Sequence, residues 1–321
     1  MATMSYHEPV LLEQSLAQLD LAAGAVVIDG TLGGGGHAEA ILERTAPDGL
    51  LIGLDLDGEA LREAGRRLAP YGDRVRLVQA SFRRLDDVAA DVVADLGPIP
   101  IDAILLDLGV SSHQLDEARR GFRFSDGEAG PLDMRMSADS PRPTAAALLA
   151  SLSGEELERL FSEYGQLPGS RRLARAIVEQ RRAQPLESTR DLVALIREIG
   201  IGRGRKHNPA TLVFQALRIA VNDELGALEE GLQAAIRVLR PGGRLAVIAY
   251  HSLEDRLVKR SFREAARGCV CPPEWPACRC GRQPSLRVLT RRPIVPDAEE
   301  TRRNPRARSA RLRVAEILEA A

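Results

Sequence analysis

The stretch AVVIDGTLGGGGH, Ala25 to His37, joins a short apolar run to a glycine-rich turn and then to a helix-forming segment. An apolar run of strand length, closed by Asp29 and Gly30, reads as a parallel strand buried on both faces. Glycines directly after such a strand let the backbone pass close to a ligand, and the helix start beyond them offers unpaired N–H donors to a polar group. Three more runs of this kind follow: LLIGLD (Leu50 to Asp55), VRLVQA (Val75 to Ala80) and IDAILL (Ile101 to Leu106), with helix-period stretches such as Glu59 to Leu68 between them. That alternation predicts parallel strands with crossover helices. The strand signal then stops. From Leu115 to about Gln233 the chain reads as a loop followed by helices, at Ser153 to Tyr164, Arg171 to Arg182, Thr189 to Ile199 and Pro209 to Asp223. A Pro-Gly-Gly turn at Pro241 to Gly243 leads back into a buried-strand run, LAVIAY, at Leu245 to Tyr250, where the sheet is expected to resume. The expected fold is therefore α/β and Rossmann-like, with an inserted helical domain: a core over residues 1–114, a helical insertion over 115–208, and the rest of the core over 209–321 with a basic tail.

The 321 residues suit one large or two modest domains. With 44% hydrophobic and 28% charged residues, the chain has a folded globular composition and not a disordered, collagenous or coiled-coil one. No apolar run approaches the roughly 18 to 20 residues of a membrane span, and Met1 to Glu13 lacks the order of a signal peptide; the expectation is a cytoplasmic protein with no membrane partner. A net charge of -1 confines any nucleic-acid binding to a local surface. The charge is uneven: Arg256 to Arg313 holds 16 Lys/Arg against 5 Asp/Glu, and Thr301 to Arg313 holds six arginines and no acid. This tail is a candidate phosphate-facing surface with salt-sensitive binding, the alternative being a solvated face.

Asp55 ends the second strand about 20 residues after the glycine loop, where a carboxylate in this fold accepts the ribose hydroxyls of a nucleoside. Loop and acid together imply a nucleoside cofactor. Gly33, Gly35 and Ala38 also satisfy the dinucleotide spacing, so a nicotinamide cofactor and the adenosine of a methyl donor both stay open. A second signal is Asp107-Leu108-Gly109-Val110-Ser111-Ser112 at the carboxyl end of the fourth strand, where an acid can reach a substrate. Asp107 is a candidate catalytic residue, with turn capping as the plain alternative. His251 follows the resumed strand on the same rim and is a candidate to face a substrate base, while Ser252 and Asp255 fit a capping box for the next helix. Cys269, Cys271, Cys278 and Cys280 form CxC, six residues, CxC. Zinc sites more often show wider steps, so these read as free thiols, with a structural metal as the alternative and no metal ligand assigned.

Six blocks, some of which hold residues named above, together resemble the bacterial small-subunit ribosomal RNA (cytosine-N(4))-methyltransferase family. The blocks are Thr31 to His37 (TLGGGGH), Ile104 to Ser112 (ILLDLGVSS), Arg120 to Phe124 (RGFRF) with Gly130 to Met136 (GPLDMRM), Phe214 to Leu225 (FQALRIAVNDEL), His251 to Lys259 (HSLEDRLVK) and Asn304 to Leu312 (NPRARSARL). The resemblance implies a class I methyltransferase core and an S-adenosyl-L-methionine cofactor. It implies methylation of the exocyclic amine of one cytidine in the decoding centre of 16S ribosomal RNA, with the small ribosomal subunit as the setting. By position it places cofactor contacts on Gly35, Gly36, His37, Asp55, Phe82, Asp107 and Gln114. An oxidoreductase using the dinucleotide spacing and a non-catalytic RNA-binding factor using the arginine tail are the rival readings. Oligomeric state, including a homodimer, stays open.

Overall fold

A computed structural model describes residues 9–111, 114–115, 117–124, 129–201, 208–272 and 277–319. The sheet has seven strands: β1 (Val26–Asp29), β2 (Leu50–Asp55), β3 (Val75–Gln79), β4 (Ile101–Asp107), β5 (Leu239–Ala249), β6 (Leu286–Val288) and β7 (Arg311–Ile317). Their order is β3-β2-β1-β4-β5-β7-β6. β1 to β5 pair in parallel, with Val27 opposite Leu51 and Asp29 opposite Leu105, whereas β7 runs antiparallel to both β5 and β6. The sheet is doubly wound and Rossmann-like, as the strand alternation predicts.

Alternation along each strand sends neighbouring side chains to opposite faces. On β4, Ile104 and Leu106 join one buried cluster with Leu85, Leu232, Val258 and Phe262. Ala103 and Leu105 join another with Leu19, Ile41, Leu42 and Leu68. The first cluster is closed by helices Leu85–Leu96, Glu224–Val238 and Ser252–Ala265, the second by Leu12–Leu19, Gly36–Arg44 and Gly58–Leu68. Because both faces are covered, β1 and β2 carry no charged residue before their carboxyl ends and β4 only Asp102; Asp29, Asp55 and Asp107 stand at those ends.

The chain divides into two compact units, residues 1–109 with 225–321, and residues 110–224. The second unit is helical: Ala145–Ser151, Gly154–Glu163, Ser170–Ala183, Thr189–Ile199 and Pro209–Asn222. Its helix starts are written into the sequence. Ser153 and Ser188 each form a reciprocal capping box, with Glu156 and Asp191, and Asn208 caps the helix that opens at Pro209. Phe161, Leu173, Ile177, Leu192, Val213 and Leu217 form the buried centre. The boundaries differ from the expected 115 and 208. Helix Pro209–Asn222 buries Val213, Phe214 and Leu217 in this second cluster, so the unit continues to 224.

β7 is absent from the sequence expectation. Arginines at alternate positions hide it, yet Leu312, Val314 and Ala315 are fully buried. Arg311 and Arg313 hydrogen-bond Asp255 at 3.0 and 2.7 Å, and Arg313 is only 6% exposed. The picture of Thr301 to Arg313 as one phosphate-facing run is corrected accordingly. Arg302, Arg303, Arg306 and Arg308 are exposed, whereas Arg313 is committed to an ion pair inside the fold.

Candidate active site

The loop after β1 is held open by its neighbours. Gly30 N–H donates to the Leu105 carbonyl at 2.9 Å, Leu32 N–H to the Leu54 carbonyl at 2.8 Å, and Thr31 N–H to Asp29 Oδ1 at 3.1 Å. Gly33 N–H then donates to Asp55 Oδ2 at 2.8 Å, which ties the loop to the end of β2. Gly33 and Gly35 have φ of 52° and 78°, left-handed values that favour glycine. A Cβ on Gly33 would meet nothing nearer than the Thr31 carbonyl oxygen at 4.0 Å, so space lies beside the loop at this point. Asp55 Oδ1 accepts the Asp57 N–H at 2.8 Å. Each carboxylate oxygen is thus fixed by one backbone donor and retains a lone pair for a ligand hydroxyl.

Asp107, at the end of β4, is oriented from two sides. Its own N–H donates to Thr31 Oγ1 at 2.6 Å, and the Tyr250 hydroxyl donates to its Oδ1 at 2.8 Å. His37, at the start of helix Gly36–Arg44, is bonded through Nε2 to the Val10 carbonyl at 3.0 Å. A carbonyl only accepts, so Nε2 carries the proton. Nδ1 is left as the free nitrogen, 3.7 Å from Asp107 Oδ2. Glycine loop, Asp55, His37 and Asp107 therefore share the carboxyl edge of the sheet, beside the point between β1 and β4 where the strand order reverses.

Burial sets the electrostatics. Desolvation raises the Asp29 and Asp55 carboxyls to about 6, against backbone N–H bonds that work to lower both. It raises Asp107 to about 7, although the Tyr250 hydrogen bond opposes this. Desolvation also lowers His37 below its usual value, and it holds the Tyr250 phenol well above 10, where the charge of Asp107 adds to the effect. Near neutrality the cluster consequently has a neutral imidazole, a neutral phenol and three raised carboxyls, of which Asp107 is raised furthest.

The other candidate residues are placed differently. Phe82 is half-buried after β3, its ring wedged against the bare α carbon of Gly231, where an added Cβ would come within 2.5 Å of Cδ2. Gln114 belongs to the helical unit. Its Oε1 accepts the Ser111 N–H at 3.1 Å and its Nε2 donates to the Met136 carbonyl at 3.1 Å. Gly36 opens the helix after the loop, against Pro9. Ser112, which belongs to one of the resembling motifs, lies outside the described residues.

At His251 the capping expectation is corrected. Ser252 is already the first helical residue, and the cap is His251 itself, whose Nδ1 accepts the Glu254 N–H at 3.3 Å. Glu254 Oε2 in return accepts the N–H groups of His251 at 3.1 Å and Tyr250 at 2.8 Å. His251 Nε2 is buried without a hydrogen-bond partner, although Glu254 Oε1 stands 3.1 Å away. Sequence reasoning missed Tyr250, which it read only as the last residue of a strand, and Thr31. A polar hydroxyl at the carboxyl end of an otherwise apolar run was the available signal for both.

The donors and acceptors on this edge fit a nucleoside with a charged tail: a carboxylate with spare lone pairs for a diol, and an open glycine turn at a helix start. Residues 4–318 match the MraW methylase family. The chain is 52% identical over 314 residues to "Ribosomal RNA small subunit methyltransferase H" of Heliobacterium modesticaldum, covering 97% of this chain and 98% of that one. It is 50% identical over 318 residues to the protein of the same name from Symbiobacterium thermophilum, covering 98% of each. Among solved structures, an rRNA methylase from Streptococcus thermophilus aligns with a TM-score of 0.42 at 12% identity, covering 95% of this chain and 93% of that one. With the family matched over nearly its whole length and relatives at about half identity, the chain belongs to the MraW methylase family.

Proposed function

We propose that this chain transfers a methyl group from S-adenosyl-L-methionine to the exocyclic N4 amine of a cytidine in the decoding centre of 16S ribosomal RNA. The substrate setting is the small ribosomal subunit, in the cytoplasm. One observation carries the chemistry: an open glycine loop tied to Asp55 shares a sheet edge with the Asp107–Tyr250 hydrogen bond. The family match and the relatives' names supply the RNA. Among the described residues no helix is long and apolar enough to cross a membrane.

The cofactor supplies an electrophilic methyl group on a sulfonium; the protein supplies position and charge. Asp55 takes the ribose hydroxyls with the lone pairs its backbone donors leave free. Gly35, Gly36 and His37 line the turn that follows, and Phe82 and Gln114 join the set by the positions the family resemblance gives them. The target cytidine is flipped out of its strand, as chemistry on a base edge requires. Asp107, ionised, accepts an N4–H hydrogen bond, turns the nitrogen lone pair toward the methyl group and offsets the positive charge that grows on N4. Tyr250 holds its Oδ1 while this happens. No strong base is required, because the methylated amine is acidic and gives its proton to Asp107 or to water. His251, whose Nε2 makes no hydrogen bond but stands 3.1 Å from Glu254 Oε1, is the further candidate to hydrogen-bond the base. The helical unit is assigned to substrate recognition.

The test is mass spectrometry of the decoding-centre fragment from small subunits treated with this protein and the methyl donor. One added methyl group on cytidine N4 is expected, with Asp107→Ala lowering kcat a hundred- to thousand-fold, the size of effect on the order of that for losing one preorganised charge-stabilising group. An unmodified fragment in the presence of folded, donor-binding protein ends the reading.

A further inference from the structure

The four cysteines come together outside the site described above. They lie in the segment between helix Ser252–Ala265 and β6, whose neck is closed by the Ser285 N–H donating to the Ala265 carbonyl at 2.9 Å. All four sulfur atoms fall within 4.8 Å of one another. Cys278 Sγ and Cys280 Sγ are 3.5 Å apart, and Cys280 Sγ and Cys269 Sγ 3.8 Å. A tetrahedral zinc with Zn–S bonds of about 2.3 Å sets its ligands roughly 3.8 Å from each other. A disulfide needs about 2.05 Å, and all four cysteines are free.

Backbone donors point at the sulfurs as well. Cys271 Sγ accepts the Arg279 N–H at 3.3 Å, and Cys280 Sγ accepts from the N–H groups of Val270 and Arg282. Such donors stabilise thiolate charge. Apart from Arg282, which bonds the Glu264 carbonyl and carboxylate, and Ser285, which bonds the Ala265 carbonyl, little among the described residues fixes the segment. Among its described residues from 267 to 285 none is buried, and Val270, its large aliphatic side chain, is 41% exposed. A stretch whose described residues bury so little apolar surface gains its order from a cross-link.

We propose that Cys269, Cys271, Cys278 and Cys280 bind one zinc ion as a closed, structural site of four thiolates. Four protein ligands leave no open position, so the ion orders the segment and takes no part in methyl transfer. It pins an arginine-bearing loop to the core unit, between a helix that follows the candidate active site and a strand of the sheet.

Elemental analysis of the full chain, purified without added chelator, decides the matter. One zinc per chain is expected, released as a mercurial consumes four thiols. Cobalt exchange is expected to give the strong ligand-field bands of a tetrahedral thiolate site. Cys271→Ser and Cys278→Ser, made singly, are expected to lower zinc content at least fivefold while binding of labelled S-adenosylmethionine is retained. Stripping zinc from the unsubstituted protein is expected to speed trypsin cleavage after Arg279 and Arg282 at least tenfold. A metal-free chain with four freely reactive thiols and zinc-independent cleavage overturns the proposal. Iron in place of zinc, or a disulfide among the four, overturns it equally, and these readings on the unsubstituted chain stand whether or not the variants fold.

Discussion

At Asp107 the requirements of catalysis and of folding pull apart. Burial raises its carboxyl from 3.8 to about 7, so between those values the folded chain binds a proton that the unfolded chain has lost. Stability contributed by this group therefore falls as pH rises through that window and levels off above about 7; at about 1.4 kcal/mol per pH unit the loss is on the order of 4 kcal/mol. Asp107→Asn is expected to remove this slope, raising the melting temperature at pH 8 more than at pH 5, while abolishing turnover; equal shifts at both pH values would refute the burial argument. Activity has the opposite sense, because the ionised acid is the useful form. In single-turnover assays methyl transfer is expected to fall as pH drops through about 7, a limb that His37 cannot supply because its own value is pushed below 6.5. Tyr250→Phe removes a hydrogen bond that lowers the Asp107 value. That limb is expected to move to higher pH and kcat to drop roughly tenfold or more, the worth of a hydrogen bond to a charged group, with the donor's KM within about twofold. An unmoved limb would show that Tyr250 does not tune Asp107.

Among the elements, β7 and helix Ser252–Ala265 are joined by one acid. Desolvation works to raise Asp255, but hydrogen bonds and charges from Arg313 and Arg311 outweigh it and leave its carboxyl below the usual value. Its contribution to stability is present above 3.8 and is lost as pH falls through the lower folded value. Removing Asp255 would strand the Arg313 charge inside the fold. Asp255→Ala is expected to destabilise by roughly 3 to 5 kcal/mol, as for breaking a buried pair, measured by urea unfolding. A loss under about 1 kcal/mol would mean the pair behaves as a surface one. The helix depends also on its unusual cap, in which a histidine ring does what serine, threonine or aspartate does elsewhere. The same ring places Nε2 3.1 Å from Glu254 Oε1, so the capping pair and the candidate site share one residue.

For the molecule as a whole, near-neutral charge means that RNA affinity must come from where cations are placed. Arg306 and Arg308 are exposed beside β7, whereas Arg313 faces inward. Replacing Arg306 and Arg308 by alanine together is expected to weaken binding to a decoding-centre RNA and to reduce the slope of log affinity against log salt by about 1 for each phosphate no longer neutralised, with thermal stability nearly unchanged. Replacing Arg313 is expected to lower stability instead. An unchanged salt slope in the Arg306/Arg308 variant would remove this surface from RNA binding.

The parallel strands, the glycine loop, Asp55 and Asp107 were legible because each depends on local rules: apolar runs buried on both faces, turns that need left-handed backbone, and acids at strand ends. The helical unit was legible for the same reason, as a run of helix-forming segments after the strand signal stops; the capping serines that start two of them emerged with the structure. Three features depended on partners far away in the chain. β7 is a strand because Leu312 and Val314 find a sheet to cover, not because its arginine-rich sequence prefers one. Tyr250 matters because the sheet register brings its hydroxyl to an acid 143 residues distant. The four cysteines, spaced too tightly for the common zinc patterns, converge only when helix and strand close the loop between them. Local chemistry decided which residues could do the work; long-range burial and pairing decided which of them meet.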